Sequence, residues 1–449
     1  MYDLIILGGG PAGYVAAERA GHAGLSVLLF ETKSMGGVCL NEGCIPTKTL
    51  LYSAKMYDHA CGAQKYGVTA EQVRFDYAKM VGRKDRVVRR MVAGVDAQMK
   101  NSGVTVVKGF ASVVGKTSQG VTVGCNETMY EAKNLLIATG SEALVPPIPG
   151  IAVAGDRVLT NREVLALTQC PASLVIIGGG VIGMEFASFF NSLGVSVTVI
   201  EMLPEILGGL DREIAGQLRE MYARKGVTFH LNAKVVRIEG DTVYFEKQGD
   251  TASVTGERLL VSVGRRPVVN GFGLETLGLE MERGGIKVDE AMRTNVPGVY
   301  AAGDVTGFSL LAHTASREGE VVVDRITGGS AAMNYRAIPG VVYTNPEVAG
   351  VGYTEEQAQS MGLDYRLIKL PMAFSGRFVA ENDGVNGLCK VLVASDDTVL
   401  GVHILGNSSS EIIFGACMAM ARAGKLSDLK EVVFPHPTVS EMLREAAFH

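Results

Sequence analysis

The chain has 449 residues, enough for two or three domains, and 47% of them are hydrophobic, with 56 glycines and no tryptophan. Its formal net charge is −5, and with neither a basic tail nor a basic stripe evident, nucleic acid is excluded as a partner at this level of reading. Seven cysteines in so long a chain do not make a secreted disulfide framework, so a reducing, cytoplasmic setting is expected.

Leu4-Ile5-Ile6-Leu7 reads as a buried strand. It is too short for a signal-peptide core and lacks a basic flank. Gly8-Gly9-Gly10-Pro11-Ala12-Gly13 follows, then a helical stretch, then a second strand, Val27-Leu28-Leu29-Phe30-Glu31. This is a strand, a G-x-G-x-x-G turn, a helix and a strand with a terminal acid. The glycines permit a tight turn and close approach of a pyrophosphate. The helix N-terminus favours phosphate charge, and the acid can bond a ribose.

Cys39 and Cys44 come next, in Gly36-Gly37-Val38-Cys39-Leu40-Asn41-Glu42-Gly43-Cys44-Ile45-Pro46-Thr47-Lys48. Two thiols this close, downstream of a dinucleotide turn, suggest electron transfer between a bound redox cofactor and a disulfide. Residues five apart in a regular helix lie about 8.6 Å apart, too far for a disulfide, which wants about 4.4–6.8 Å. Gly43 offers an irregular backbone between them. The next helix is expected to start near Pro46 and run through Met56, with its N-terminus facing the thiols and favouring a thiolate.

Ala138-Thr139-Gly140-Ser141 closes the first block, and Val145-Pro146-Pro147-Ile148-Pro149-Gly150 reads as a linker. The first block then repeats. Leu174-Val175-Ile176-Ile177 precedes Gly178-Gly179-Gly180-Val181-Ile182-Gly183, and Val197-Thr198-Val199-Ile200-Glu201 supplies the acid. The step from Gly8 to Glu31 and that from Gly178 to Glu201 are both 23 positions. Two dinucleotides are therefore expected. The uncharged stretch around Val164–Met184 is broken by Pro171 and the glycine triplet, so it reads as a buried strand and turn, not a membrane span. The second block runs to Val263-Gly264-Arg265-Arg266-Pro267, and Ala301-Ala302-Gly303-Asp304 reads as a strand end returning to the first domain. From about Ile338, strand-like stretches such as Cys389–Val393 surround one helical run, Ser410–Ala423.

These motifs together resemble the pyridine nucleotide–disulfide oxidoreductases with a Cys-x4-Cys redox pair, and within them the dihydrolipoamide dehydrogenases. The resemblance covers essentially the whole chain. It implies an α/β fold with two Rossmann-like dinucleotide-binding domains, for FAD (1–145 and 269–337) and for NAD (146–268), and a C-terminal α+β dimerisation domain (338–449). It implies that Gly8, Gly10, Gly13, Glu31, Ala138, Thr139 and Gly140 bind FAD, with Asp304 on its ribityl chain and Ala312 and His313 beside the flavin ring. Lys48 would lie near the flavin N5 edge, paired with Glu185. Gly178, Gly180, Gly183, Glu201 and Gly264 would bind the nicotinamide cofactor. Glu201 suits a free 2′-hydroxyl, and Met202-Leu203-Pro204 offers no arginine for a 2′-phosphate, so NAD is expected over NADP.

Phe434-Pro435-His436-Pro437-Thr438 resembles the family's base segment, with Glu441 placed to orient His436. The resemblance implies a homodimer in which that histidine serves the other subunit's thiols. The implied reaction oxidises dihydrolipoamide on a separate carrier protein, through a Cys39–Cys44 disulfide and FAD, with NAD+ as acceptor. One departure is Phe434, where many members carry a second histidine. Another NADH-dependent flavin disulfide reductase, or an NADH oxidase or diaphorase, is the alternative. No metal site is expected.

Overall fold

A computed structural model describes residues 1–449. The α-helices in chain order are α1 (Pro11–His22), α2 (Gly37–Glu42), α3 (Cys44–Cys61), α4 (Tyr77–Asn101), α5 (Asn161–Leu165), α6 (Val181–Ser192), α7 (Arg212–Arg224), α8 (Ala312–Ile326), α9 (Glu355–Ser360), α10 (Gly376–Glu381), α11 (Ser409–Ala421) and α12 (Glu441–Ala446). The residues gather into two compact units, Met1–Thr49 with Val81–Leu144 and Gly264–Met333, and Leu50–Met80 with Val145–Val263 and Asn334–His449.

The first unit is built on a seven-stranded sheet. Its parallel part runs Thr105–Lys108, Val27–Glu31, Tyr2–Leu7, Thr128–Ile137, and Val299–Ala301 adds in parallel to the last of these. Two antiparallel strands, Val121–Cys125 and Ser112–Lys116, extend it. Strands of a parallel sheet are buried on both faces, and Leu4 to Leu7, Leu28, Leu135 to Ile137 and Ala301 are accordingly almost fully buried. Helices α1 and α8 meet closely: a Cβ on Gly319 would lie 2.5 Å from the Ala12 carbonyl oxygen, so only glycine permits the contact.

The second unit repeats the plan. Its parallel sheet orders Thr228–His230, Ser196–Ile200, Ser173–Ile177, Arg258–Val261 and Val158–Leu159. A three-stranded antiparallel meander spans Ala233–Thr255. The same unit includes a five-stranded antiparallel sheet ordered Gly340–Val342, Val348–Gly352, Val399–Leu405, Leu388–Ala394, Tyr365–Pro371. Ile413 and Ala416 of α11 and Met442, Leu443 and Ala446 of α12 share its core with Val391, Val402 and Ile404. The α/β architecture implied by the sequence is the one observed, and the stretch from Val164 to Met184 is the end of α5, a strand, and the start of α6. No helix is long and apolar enough to cross a membrane.

Three expectations need correction. The C-terminal region holds four helices, α9 to α12, where one was expected; α9, α10 and α12 span six residues each, too short for periodicity to reveal. The redox helix starts at Cys44, not Pro46. Thr47 N–H donates to the Gly43 carbonyl at 3.1 Å, so Pro46 falls within the first turn, where a missing N–H costs nothing. Finally, α4 does carry a basic face. Arg83, Arg86 and Arg90 stand at i, i+3 and i+7, which aligns them on one side, with Arg89 beside them. In sequence Asp85, Val87 and Val88 dilute them, and the chain's net negative charge hides them.

Candidate active site

The first dinucleotide turn is held by its own backbone. Gly8, at φ +106°, donates its N–H to the Phe30 carbonyl at 2.9 Å. A Cβ on Gly13 would sit 1.9 Å from the Gly8 carbonyl oxygen, so α1 reaches the turn only as glycine. Around Gly10 the nearest heavy atom to an added Cβ is at 3.9 Å, which leaves the backbone bare for a ligand. Both oxygens of Glu31 are anchored: Oε2 accepts the Gly9 N–H at 2.8 Å and Oε1 the Lys33 N–H at 2.7 Å. Ala138 N–H bonds the Leu7 carbonyl at 2.9 Å, Thr139 Oγ1 bonds the Val268 carbonyl at 2.6 Å, and Gly140 takes φ +76° with open space where a Cβ would be.

The cysteine segment is laid directly on this turn. Gly36 N–H donates to the Gly9 carbonyl at 2.8 Å, and a Cβ on Gly37 would lie 2.7 Å from Gly10 Cα. Asn41 Nδ2 clamps α2 by donating to the Met35 and Gly37 carbonyls at 3.1 and 2.9 Å. Cys39 therefore lies on its own short helix, and Cys44 opens the next. Gly43 makes the break, and a Cβ there would press to 3.0 Å from the Val38 carbonyl oxygen.

Both cysteines are half-buried, with no bond drawn between them. The hydrogen bond with Cys44 pushes the Cys39 thiol far up, burial adds to this, and the Lys48 charge works against it. Cys44 opens α3, and a helix N-terminus favours negative charge on a thiol placed there. Lys48 stands one turn after Cys44 on the same face. Tyr14 of α1 borders the pair: burial raises its pKa, and the Cys39 and Cys44 charges raise it further. Only packing of α1 against α2 and α3 reveals Tyr14.

The second turn copies the first. Gly178, at φ +104°, donates to the Ile200 carbonyl at 2.9 Å, and a Cβ on Gly183 would lie 2.1 Å from the Gly178 carbonyl oxygen. Glu201 Oε2 accepts the Gly179 N–H at 2.7 Å and Oε1 the Leu203 N–H at 2.8 Å. Gly180 has open space at its Cβ position. On α7, Arg219 is committed to Glu205 through Nε at 2.8 and 3.1 Å. Glu185, on α6, is almost fully buried, and its Oε1 accepts the Tyr343 N–H at 3.0 Å. Both turns thus have the bare backbone and anchored acid that fit a dinucleotide.

In the first unit Asp304 belongs to a polar cluster. Ser141 Oγ donates to its Oδ2, and Arg265 donates from Nε to Ser141 Oγ at 2.8 Å and from Nη2 to the Ser141 carbonyl at 2.8 Å. Burial raises the Asp304 pKa, and the Ser141 bond and the Arg265 charge only partly oppose it. The fully buried Glu318 accepts the Gly303 N–H at 2.6 Å, which sets the peptide entering Asp304. Ser141, Arg265 and Glu318 carry no sequence signal. Ala312 and His313 are the first two residues of α8, where free N–H groups collect. Gly264, at φ +123°, accepts the Leu144 N–H at 3.0 Å.

In the second unit His436 Nδ1 meets Glu441 Oε1 at 2.9 Å, and Glu441 Oε2 accepts the Thr438 N–H at 2.9 Å. Glu441 is the first residue of α12, so the helix fixes the carboxylate and the carboxylate fixes the imidazole. The Thr438 N–H and the His436 ring hold the Glu441 pKa below the ordinary value. Nδ1 is thus occupied, and the imidazole ring is largely exposed.

The chain from residue 2 to 319 matches the pyridine nucleotide-disulphide oxidoreductase family, and 338–447 match that family's dimerisation domain. It is 40% identical to dihydrolipoyl dehydrogenase 3 of Pseudomonas aeruginosa over 99% of this chain and 97% of that protein. It is 38% identical to dihydrolipoyl dehydrogenase of Geobacillus stearothermophilus over 99% and 95%. Among solved structures, LpdA from Mycobacterium tuberculosis superposes with a TM-score of 0.91 at 27% identity, covering 100% and 99% of the two chains. With its paired dinucleotide turns, its thiol pair and these matches, the chain belongs to the pyridine nucleotide-disulphide oxidoreductases.

Proposed function

We propose that this chain is the NAD-dependent dehydrogenase of a protein-bound dihydrolipoyl group. The observation that carries the reading is the dithiol pair seated on the first turn, combined with an oriented histidine in the region that matches the dimerisation domain. The chain acts as a homodimer, with the active site completed across the interface and a separate lipoyl-bearing protein as substrate. Two exchangeable thiols suit a reducing cytoplasm.

One thiol of the carrier gives its proton to Nε2 of His436 of the partner subunit. The carrier thiolate then attacks Cys39 Sγ in the oxidised pair. A carrier–Cys39 bond forms, the Cys39–Cys44 bond breaks, and its electron pair leaves on Cys44 as a thiolate. The helix N-terminus at Cys44 stabilises that charge. The second carrier thiol attacks the carrier sulfur of the mixed disulfide; the carrier disulfide closes, the carrier–Cys39 bond breaks, and the thiol's proton passes to the departing Cys39 sulfur. FAD, when bound, relays the two electrons from the thiol pair to NAD+. The balance is carrier dithiol plus NAD+ to carrier disulfide plus NADH plus H+.

Of the protein groups, Gly8, Gly10, Gly13 and Glu31 bind and orient the first dinucleotide, with Ala138, Thr139 and Gly140 against it. Gly178, Gly180, Gly183 and Glu201 bind the second. Asp304 takes a polyol hydroxyl, and Lys48 supplies positive charge beside the thiols. Ala312 and His313 present amide N–H groups.

Anaerobic titration with dihydrolipoamide tests the reading. A long-wavelength thiolate-to-flavin absorption band, then NADH formation on adding NAD+ but not NADP+, is expected. A flavin spectrum that ignores dihydrolipoamide yet bleaches with NADH would sink it.

A further inference from the structure

The basic face of α4 has no role in the chemistry described above. Arg83, Arg86, Arg89 and Arg90 fall within eight residues of one helix, in a chain whose net charge is −5. Arg86, Arg89 and Arg90 are exposed and form no ion pair. Elsewhere exposed arginines are commonly neutralised: Arg237 by Glu239, Arg266 by Glu142, Arg293 by Asp289, Arg377 by Glu381. The one acid inside the stretch, Asp85, one turn before Arg89, is taken by the buried Lys84 at 2.9 Å. The arginines therefore project an uncompensated positive field.

The position of this field is set by Arg83. Its Nη1 donates to the Thr49 carbonyl at 3.0 Å. Thr49 is five residues beyond Cys44 on α3, about 7.5 Å of helix rise. The stripe thus begins beside the redox helix and runs outward along α4 for about 10 Å, from Arg83 to Arg90.

We infer that this arginine face is the docking surface for an acidic carrier protein, which it steers so that the tethered dithiol reaches Cys39. The inference rests on the proposed function and deepens it by naming the carrier's charge and the face it meets. Its tie to α3, five residues beyond Cys44, favours a protein bearing the substrate over a nucleic acid or a membrane, neither of which needs the stripe tied to that helix. Charge complementarity of this kind acts mainly on association rate and is screened by salt.

The test compares two substrates on the FAD-loaded enzyme, R86E/R90E against wild type: free dihydrolipoamide, and an acidic, reduced lipoyl domain of a 2-oxoacid dehydrogenase. Neither arginine touches the thiols or the turns. The expected result at low salt is a fall of about tenfold or more in kcat/KM for the lipoyl domain, a flattened salt dependence and unchanged turnover of free dihydrolipoamide. Unchanged kinetics with the lipoyl domain would overturn the inference, as would an equal loss on both substrates. Wild-type kinetics on the lipoyl domain, with binding to anionic phospholipid vesicles lost in the variant, would assign the stripe to a membrane and also overturn it. Failure of wild type with free dihydrolipoamide would instead strike the proposed function.

Discussion

The two dinucleotide turns are near copies, and they differ in what leans on them. At Gly9 the carbonyl accepts the Gly36 N–H at 2.8 Å; at Gly179 the equivalent carbonyl accepts the Leu207 N–H at 2.9 Å. The acids match in the same detail, each spending one oxygen on the turn and the other two residues along the chain. After Gly36, however, the first copy continues into Gly37 and the helix of Cys39, whereas after Leu207 the second continues through Gly208 and Gly209 to α7. One module thus yields either a site that binds a dinucleotide and exchanges its electrons with thiols, or one that only binds. The two copies differ in the loop that leans on the turn, while the turn itself is held by the same steric contacts.

The strongest way to break the comparison is to remove the chemistry from the first copy alone. Cys44→Ser leaves both turns intact and removes the leaving thiolate. Turnover of dihydrolipoamide should fall by about 10⁴-fold or more, while NADH-dependent reduction of an artificial acceptor such as ferricyanide survives. Stopped-flow assays of both reactions check this. Loss of both activities would mean that Cys44 also supports the fold of the turn.

The second copy has its own buried anchor. Asp211 caps α7 by accepting the Ile214 N–H at 3.2 Å, and the fully buried Lys390 donates to both Asp211 oxygens at 2.9 Å and to Glu355 at 2.8 Å. Burial alone would lower the Lys390 pKa, but its bonds to Glu355, Asp211 and Glu213 outweigh this and raise it. Burial would likewise raise Asp211, and Lys390 outweighs it and lowers it. A lowered carboxylate stabilises above its unfolded value, near pH 4, and loses that stabilisation as pH falls through the folded value. A raised ammonium stabilises below its unfolded value, near pH 10.5, and loses that as pH rises through the folded value. Lys390→Met leaves Asp211 buried without its cation, so stability should drop by about 3–5 kcal/mol at pH 7, and the acid and alkaline limbs should flatten. Guanidinium melts across pH measure both; an unchanged midpoint would refute the assignment.

Sharper still is a selective steric block. A methyl at position 183 would meet the Gly178 carbonyl oxygen and Ser262 Oγ, at 2.1 and 2.8 Å. Gly183→Ala should reduce NADH formation by about 100-fold, equivalent to roughly 2.7 kcal/mol, while FAD content and flavin reduction by dihydrolipoamide persist. Gly13→Ala, its counterpart, should instead yield protein without FAD. If both variants lost FAD, the two copies would not be separable.

What could be read from the sequence was local. The two turns, both acids, the thiol pair and the His436–Glu441 spacing each lie within a short window, and each constraint is steric or covalent. What could not be read depends on chain segments distant in sequence. Glu318 reaches Gly303, Arg265 reaches Ser141, and Lys390 reaches Asp211 only after folding. The start of α3 was misplaced because proline is equally welcome through the first turn of a helix. The α4 arginines were missed because a helical face shows only once its projection is drawn.

The finest test asks whether two acids with the same geometry do the same work. Glu31→Gln and Glu201→Gln each keep one accepting oxygen and turn an amide donor toward a backbone N–H, a cost of about 1–2 kcal/mol, or roughly ten- to thirtyfold in affinity. At position 31 the loss should appear as weaker FAD retention on dialysis. At position 201 it should appear as a raised KM for NAD+ with kcat preserved, because the contact is made equally in the ground and transition states. Losing the carboxylate charge at 201 also removes repulsion toward a 2′-phosphate, so the preference for NAD+ over NADP+ should narrow. A fall in kcat instead would mean that Glu201 shapes the turn in the transition state, and the two copies would then differ in mechanism as well as in what packs on them.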